Sequence, residues 1–232
     1  MATSWSFSKA GDFSKCKKYF WLKHEQKIPE PERPLPPGKT EHANDRGSRI
    51  HDAAEHFVDG TGPFIRELDD FKPEFEHLRH LYTTGKVSLE GEWGMDENWE
   101  VAPWKGAWLR LKLDALVFAS DLEAVVIDYK TGRKFGNEVK HMQQLQFYAL
   151  NTFLRYPELE VVHAELWYTD AKEITSVTIQ RDTALRFKRT WDQTGKAIVG
   201  NTKWPANANK FSCMWCPYGP DGTNHCPEGY RK

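Results

Sequence analysis

Hydrophobic and polar positions alternate along three segments in the middle of the chain, and this period of two predicts β-strands at residues 87–93, 107–118 and 123–130. The third segment carries a continuous apolar run before its charged end, which is typical of a central strand covered on both faces. Residues 160–169 and 174–179 predict two further strands. The strands therefore fall into a group of three and a group of two.

Apolar residues at intervals of three and four predict helices around these strands. The predicted helices are residues 8–24, 41–58, 73–82, 138–155 and 182–199. Five prolines make residues 28–40 an extended loop, because proline is incompatible with a helix interior. Residues 201–232 form an irregular tail rich in Gly, Pro, Asn and Cys. This order predicts one α/β domain over residues 1–232, with a central mixed sheet flanked by helices.

Composition narrows the class of protein without assigning a function. The chain has 232 residues, of which 39% are hydrophobic, so it can bury a core and is not a disordered chain. It shows no apolar run long enough to span a membrane and no signal-peptide pattern, so we expect a cytoplasmic location. A net charge of -1 excludes a uniformly basic coat for nucleic acid, but not a local basic surface.

Two acidic residues and a lysine are candidates for chemistry. Asp128 and Lys130 lie two apart at the end of a predicted strand, so their side chains point to the same side, where a simple ion pair would be an ordinary feature. Asp114 can approach Asp128 if the two strands are neighbours, and two close carboxylates repel unless a cation lies between them. Because one or two carboxylates can hold Mg²⁺, the three residues predict a site for metal-assisted phosphodiester hydrolysis.

Further polar residues could join this site, although each has an ordinary alternative. Glu90 and Glu92 share one face of the first predicted strand, where both could be solvated. Gln144 and Tyr148 lie four apart and are therefore neighbours on the fourth predicted helix, which could be a plain amphipathic helix. His51 lies in a predicted helix, where a lone histidine is more often a surface or core residue than a ligand.

The order of these residues resembles the RecB-type nuclease branch of the PD-(D/E)xK superfamily. The matching set is His51, Glu90 or Glu92, Asp114, Asp128-Tyr129-Lys130-Thr131-Gly132 and Gln144-Leu145-x-x-Tyr148-Ala149. The N-terminal run from Ser6 to Phe20 also resembles the opening motif of that branch. Two departures are Lys17, where Pro often follows the cysteine, and the Lys112-Leu113 pair, where a glycine is often found near the aspartate.

The resemblance implies a restriction-endonuclease-like core and a divalent-metal-dependent DNA nuclease. It implies that His51, Asp114, Asp128 and the carbonyl of Tyr129 bind Mg²⁺ or Mn²⁺, and that Lys130 is the catalytic lysine. Gln144 and Tyr148 would position the scissile strand or the lysine. Glu90 or Glu92 would be an acid one layer further from the metal, and the sequence does not choose between them.

The four cysteines are Cys16 near one end and Cys213, Cys216 and Cys226 near the other. A thioredoxin-like pair would be expected at a helix start after a strand, and a cytosolic disulfide is rare. Four thiolates can hold structural Zn²⁺ or an iron–sulfur cluster, and the spacing alone does not decide. The arrangement of one cysteine followed by three resembles the iron–sulfur segment of certain RecB-type nucleases, including CRISPR-associated exonucleases, which favours a 4Fe–4S cluster. Such a cluster would join residues 1–27 and 201–232 into one subregion.

The same junction would bring two basic ends of the chain together. Residues 1–27 hold six lysines against two acids, and residues 181–232 hold nine basic residues against four acids, whereas the middle of the chain is acidic. Basic side chains near one another can bind a phosphate backbone. The candidates for DNA contacts are Lys17, Lys18, Arg186, Arg189 and Lys210.

The leading function hypothesis is a DNA exonuclease that acts on single-stranded DNA or on DNA ends, in replication, recombination or repair of a phage or mobile-element type. A structure-selective or nicking endonuclease on the same fold, a non-catalytic DNA-binding module and a redox protein are the alternatives. The sequence has no Gly-x-x-x-x-Gly-Lys-Ser/Thr phosphate loop, so unwinding would require a separate helicase, and a recombinase is a further possible partner.

Overall fold

A six-stranded sheet lies at the centre of the protein, which the computed structural model describes over residues 4–32, 34–132 and 134–231. The strands are β1 Val87–Met95, β2 Val101–Ala102, β3 Leu109–Phe118, β4 Glu123–Lys130, β5 Val161–Tyr168 and β6 Glu173–Gln180. Their order across the sheet is β2-β1-β3-β4-β5-β6. Strands β4 and β5 are parallel and the other neighbours are antiparallel, so the sheet is mixed, as the sequence predicts.

Helices cover both faces of this sheet. They are α1 Phe7–Lys15, α2 Lys17–Phe20, α3 Ala43–Asp59, α4 Lys72–Thr83, α5 Glu138–Arg155, α6 Arg181–Arg186, α7 Lys188–Val199 and α8 Lys210–Cys213. A π-helical turn, Trp21–Glu25, follows α2, and a 3₁₀ turn, Arg66–Phe71, precedes α4. Helix α5 connects the parallel strands β4 and β5, because parallel neighbours need a crossover rather than a tight turn.

Two helices predicted as continuous are each broken in the structure. The predicted helix over residues 8–24 is interrupted at Cys16, whose backbone is extended (φ -165°, ψ 117°) and whose Sγ accepts a hydrogen bond from the N–H of Tyr19. Cys16 therefore ends α1 and caps α2. The predicted helix over residues 182–199 is divided at Phe187 into α6 and α7. The periodic apolar pattern continues through both breaks, so it did not reveal them.

The core has one large hydrophobic cluster on each face of the sheet. On one face, α5 to α7 and the N-terminal segment pack on side chains such as Val126 and Leu166. On the other face, α3 and α4 pack on side chains such as Ile127 and Trp167. Because neighbouring residues of β4 serve opposite clusters, this strand is covered on both sides, as its continuous apolar run predicts.

Strand β3 changes the side on which its odd-numbered residues lie. Leu111 and Leu113 belong to the cluster of α5, whereas Ala115 and Val117 belong to the cluster of α3 and α4. Leu113 and Ala115, two apart on one strand, therefore belong to different clusters. A strict period of two cannot hold across this point, and Asp114 is the residue at the inversion.

The two ends of the described chain meet in a third, small cluster. Leu22, Tyr218 and Cys226 form its buried centre. The hydroxyl of Tyr218 donates a hydrogen bond to the carbonyl of Ile28 (2.8 Å), and other bonds join Lys15 and Lys18 to residues 205–212. The tail thus packs on the N-terminal helices despite its lack of regular structure. Among the residues described, no helix is both long and apolar enough to cross a membrane.

Candidate active site

Two adjacent strands separate beside the candidate carboxylates. Pairing between β3 and β4 ends at Ala115 and Ile127, and Asp114 and Asp128 are the next residues in the same register. Asp114 Oδ2 accepts a hydrogen bond from the backbone N–H of Tyr129 (2.6 Å). The side chain of Asp114 thereby satisfies a backbone donor that the separated strands leave without its ladder partner. The strand separation sets the two carboxylates beside each other at the edge of the paired region.

Helix α3 brings His51 to the same carboxylate. Nδ1 of His51 lies 3.0 Å from Asp114 Oδ1, and the imidazole packs edge-on against the ring of Tyr129, with centroids 5.7 Å apart. Burial acts to lower the pKa of His51, but the hydrogen bond to Asp114 and the charges of Asp114 and Asp128 outweigh it and raise that pKa. Asp114 is therefore held on one oxygen by α3 and on the other by β4.

A chain of polar contacts joins β4 to α5. Lys130 Nζ forms an ion pair with Asp128 Oδ2 and donates a hydrogen bond to Gln144 Oε1 (3.0 Å). Gln144 Nε2 donates to Asp128 Oδ1 (3.3 Å) and to the hydroxyl of Tyr148 (2.6 Å). Gln144 and Tyr148 lie one helical turn apart, so both face the end of β4. The structure thus brings together seven of the residues that the sequence singles out: His51, Asp114, Asp128, Tyr129, Lys130, Gln144 and Tyr148.

Burial sets the electrostatics of this group. Asp128 is only 4% exposed, and burial raises the pKa of its carboxyl to about 6 against the opposing charge of Lys130, while Asp114 raises it further. Burial, and then the charges of Asp128 and Asp114, also raise the pKa of the Tyr148 hydroxyl well above its ordinary value. Two acids in a poorly solvated pocket favour the approach of a cation.

The donor types at this site fit a divalent metal ion. Carboxylate oxygens from Asp114 and Asp128 are the ligands that Mg²⁺ prefers, and an imidazole such as that of His51 can join them with Mn²⁺. In the described part of the chain, however, no three His, Cys, Asp or Glu side chains are already arranged as a metal-binding group. The donors are hydrogen-bonded to one another or to Lys130 instead of being directed at one common point.

Two contacts near the site have no counterpart in the sequence reasoning. The guanidinium of Arg46 on α3 makes two hydrogen bonds to Asp170 (2.9 and 2.8 Å), and Asp170 also accepts from the N–H of Gly132 (2.9 Å). On α5, Nδ1 of His141 lies 2.8 Å from the hydroxyl of Tyr168. The first contact joins residues 124 positions apart, so no local signal could have indicated it. The second contact joins His141 of α5 to Tyr168, the residue of β5 that pairs with Lys130 of β4.

Other sequence candidates lie away from these contacts. Glu92 is exposed and pairs with Lys112 (3.1 Å), and the side chain of Glu90 lies outside what the structure describes. Lys17 donates to Asn201 Oδ1 (3.4 Å), and the Lys18 ammonium lies over the ring of Trp21. The other candidates for DNA contacts are exposed: Arg186, Arg189 and Lys210. A cleft opens next to Gln144, and the described candidates of this group do not line it: Glu92, Lys17, Lys18, Arg186, Arg189 and Lys210.

The four cysteines line one small cavity where the two ends of the chain meet. Backbone N–H groups point at two of the sulfurs: Cys16 Sγ accepts from Asn207 (3.3 Å) and Cys213 Sγ accepts from Tyr230 (3.3 Å). Burial raises the pKa of the Cys216 thiol, and burial together with Glu228 raises that of Cys226 to about 11. Four sulfur donors from two distant segments are chemically suited to iron or zinc.

The mixed sheet flanked by helices is consistent with the restriction-endonuclease-like fold of the PD-(D/E)XK nucleases. The chain belongs to the PD-(D/E)XK nuclease superfamily, whose family model matches residues 4–220. Nucleases of this superfamily typically use divalent metals such as Mg²⁺, and membership implies DNA as the substrate. No curated protein matches the chain in sequence.

Several solved structures resemble the chain at low sequence identity. SSO0001 is 14% identical with a TM-score of 0.48, covering 100% of this chain and 89% of its own. A candidate exonuclease from Eubacterium rectale is 12% identical with a TM-score of 0.47, covering 88% and 85%. An alkaline exonuclease from Laribacter hongkongensis is 14% identical with a TM-score of 0.34, covering 85% and 87%. No residue role in this chain rests on these similarities.

Proposed function

We propose that the protein is a divalent-metal-dependent DNA exonuclease that hydrolyses phosphodiester bonds in single-stranded DNA or at DNA ends. The observation that carries the proposal is the contact group of Asp114, Asp128, Lys130 and Gln144 at the separation of β3 and β4. Lys130 contacts both the buried carboxylate of Asp128 and the side chain of Gln144, and an ordinary surface ion pair needs neither a buried acid nor a glutamine. The proposal extends membership of a nuclease superfamily to a particular reaction at particular residues.

The residues have distinct tasks in this mechanism. A bound Mg²⁺ or Mn²⁺ would polarise the phosphate and make a water molecule more acidic. Asp114 and Asp128 would hold the ion, with His51 and the Tyr129 carbonyl as further ligands. Lys130 Nζ, released from part of its contact with Asp128, would hold the attacking water by a hydrogen bond and stabilise negative charge on the phosphate.

Gln144 and Tyr148 act on the lysine and on the strand. Gln144 contacts both Lys130 and Asp128, so it fixes the distance between the ammonium and the carboxylate. Tyr148 receives a hydrogen bond from Gln144, and its raised pKa keeps the hydroxyl neutral and able to donate to a phosphate oxygen. Both residues therefore orient groups around the scissile phosphate instead of exchanging protons with it.

We further propose that the four cysteines hold a 4Fe–4S cluster, with structural Zn²⁺ as the alternative. Support comes from the shared cavity, from its position between the two ends of the chain and from the N–H donors to Cys16 and Cys213. Hydrogen bonds to sulfur are among the features that tune such clusters. The cluster would have a structural task, because it would join residues 1–27 to the tail.

The cellular setting is proposed on the family resemblance alone. It comprises a cytoplasmic location, in the bacterial host if the protein is phage-encoded. It also comprises a role in phage or mobile-element recombination or repair and cooperation with a separate helicase or recombinase.

The test is digestion of end-labelled linear single-stranded and duplex DNA, with circular single-stranded DNA in parallel. We expect cleavage of linear DNA with Mg²⁺ or Mn²⁺, none with EDTA, and an intact circle. Cleavage of the circle would identify an endonuclease. Binding of DNA without cleavage under every metal condition would contradict the enzymatic proposal.

A further inference from the structure

A cleft of about 550 Å³ opens next to the candidate active site. The N-terminal segment from Trp5 to Lys9 forms one wall, Trp104 and residues 110–112 of β3 form the second, and α5 forms the third. The α5 wall consists of Lys140, Gln144 and Tyr148. The cleft therefore shares Gln144 and Tyr148 with the group that holds Lys130.

The lining of this cleft is positively charged. Lys9, Arg110, Lys112 and Lys140 line it and no acidic residue does. Lys112 pairs with Glu92, but no described carboxylate forms an ion pair with Lys9, Arg110 or Lys140. These like charges repel one another, although the charge of Glu25 partly offsets that of Lys9, so the cleft favours an anionic ligand.

Two of these cations are fixed in position and lie close together. Lys9 Nζ donates to the carbonyl and hydroxyl oxygens of Ser4 (3.1 and 3.3 Å), which leaves donor capacity free. The guanidinium of Arg110 lies 5.2 Å from the ring centre of Trp104, and its Nε is buried with no hydrogen-bond partner among the described residues. Burial and the nearby charge of Arg110 lower the pKa of Lys9. Both residues are therefore prepared to donate to an anionic ligand.

We propose that this cleft is the path of the DNA strand to the active site, with Arg110, Lys9 and Lys140 binding successive phosphates and Trp104 available to stack on a base. The inference rests on the proposed nuclease function and assigns its substrate as single-stranded DNA. A cleft volume of about 550 Å³ is that of a site for a small ligand, so it favours a short single-stranded segment over a duplex.

The proposal differs from the surface that the sequence predicts. The basic ends of the chain predict DNA contacts at a different set of residues, whereas the cleft draws its charge from α1, β3 and α5; the predicted set is Lys17, Lys18, Arg186, Arg189 and Lys210. Combining phosphate contacts with an aromatic platform is the usual way to bind a single strand without sequence preference. The two surfaces make different predictions for the same binding experiment.

The test is fluorescence anisotropy of a labelled oligothymidylate in EDTA, which measures binding without cleavage. We expect Arg110→Gln and Lys140→Gln each to weaken binding about fivefold or more at low salt, and each to reduce the slope of log affinity against log salt by about 0.7. Lys72→Gln on α4, at the opposite face of the sheet, is the matched control and should bind like the wild type. Arg110→Lys should recover part of the loss, because it restores the charge but not the planar group.

Three outcomes would overturn the proposal. The first is unchanged affinity in both cleft variants, with melting temperatures equal to that of the wild type. The second is a loss that appears only in the Arg186→Gln/Arg189→Gln double variant. The third is duplex DNA competing as well as single-stranded DNA. Because no step involves cleavage, a protein that binds through the cleft and never cuts would contradict the exonuclease proposal while supporting the cleft.

Discussion

The Asp114 carboxylate accepts a hydrogen bond from the N–H of Tyr129 (2.6 Å) at the point where β3 and β4 separate. An acid that serves as a backbone acceptor cannot move away from its neighbour without exposing that donor. The fold itself therefore keeps the carboxylates of Asp114 and Asp128 close to each other. Asp114 therefore contributes in two ways that can be tested separately: its oxygen accepts the hydrogen bond from Tyr129, and its carboxylate carries a negative charge.

The first prediction distinguishes the hydrogen bond of Asp114 from its charge. Asp114→Asn retains an oxygen that can accept from Tyr129 but removes the charge, so we expect the melting temperature to change little and metal-dependent cleavage to fall by about 100-fold or more. Asp114→Ala should lower both. The measurements are thermal unfolding and hydrolysis of labelled DNA with Mg²⁺. Activity near that of the wild type in the asparagine variant would remove Asp114 from the proposed metal site.

The second prediction concerns the buried pair of Asp128 and Lys130. Lys130→Met should abolish cleavage and leave a buried carboxylate without its ion-pair partner, so this variant should be less stable than the wild type. Adding Asp128→Asn should restore much of the stability without restoring cleavage, because the pocket then holds no unpaired charge. Chemical unfolding of both variants tests this order. A double variant that is less stable than Lys130→Met would show that the pair does not behave as a charge pair.

The third prediction is a dependence of stability on pH. Burial and the charge of Lys130 lower the pKa of His141 to about 4, so the folded protein resists protonation where an unfolded chain would accept a proton. This contribution is favourable above about pH 6.5 and is lost as the pH falls toward 4. His141→Gln should unfold with a weaker dependence on pH across that window, as measured by urea unfolding at several pH values. Parallel curves for the two proteins would exclude His141 as a source of acid sensitivity.

The fourth prediction concerns the cysteine cavity. With a 4Fe–4S cluster, anaerobically purified protein should be brown and contain iron, and Cys216→Ala should lose the colour and melt at lower temperature. The loss of stability follows because the cluster closes a loop from residue 16 to residue 226, which restricts the unfolded chain. Exposed Ser8→Ala is a control near the same end. A colourless protein with stoichiometric zinc would select zinc, and unchanged metal content and melting in Cys216→Ala would exclude metal binding there.

Local patterning predicted the centre of the fold accurately. The expected bounds of β4 and α5 agree with the structure, because a continuous apolar run and a long amphipathic period are local signals. The break at Cys16 was not predictable in this way. Its sulfur accepts N–H groups from Tyr19 and from Asn207, and the second contact spans 191 positions of sequence.

The candidate site was predictable to a similar extent. Asp128 and Lys130 lie two positions apart, which placed both side chains on the same side of a strand. The structure joins both of them to Gln144. The contact of His51 with Asp114 crosses 63 positions and was indicated only by the family resemblance. The roles of all these residues remain predictions. The cleft was missed because three separate segments supply its charge, and no composition count combines them.

Gly195 of α7 packs against the wall of this cleft. It lies inside α7, where a glycine costs about 1 kcal/mol relative to alanine, and a Cβ there would collide with the indoles of Trp5 and Trp108. Trp5 is the first residue of the cleft wall that ends at Lys9. If the cleft binds DNA as proposed, a substitution at Gly195 would displace the wall that contacts the strand, although Gly195 itself does not line the cleft. Weakened DNA affinity in such a variant would then originate at a position outside the contact surface.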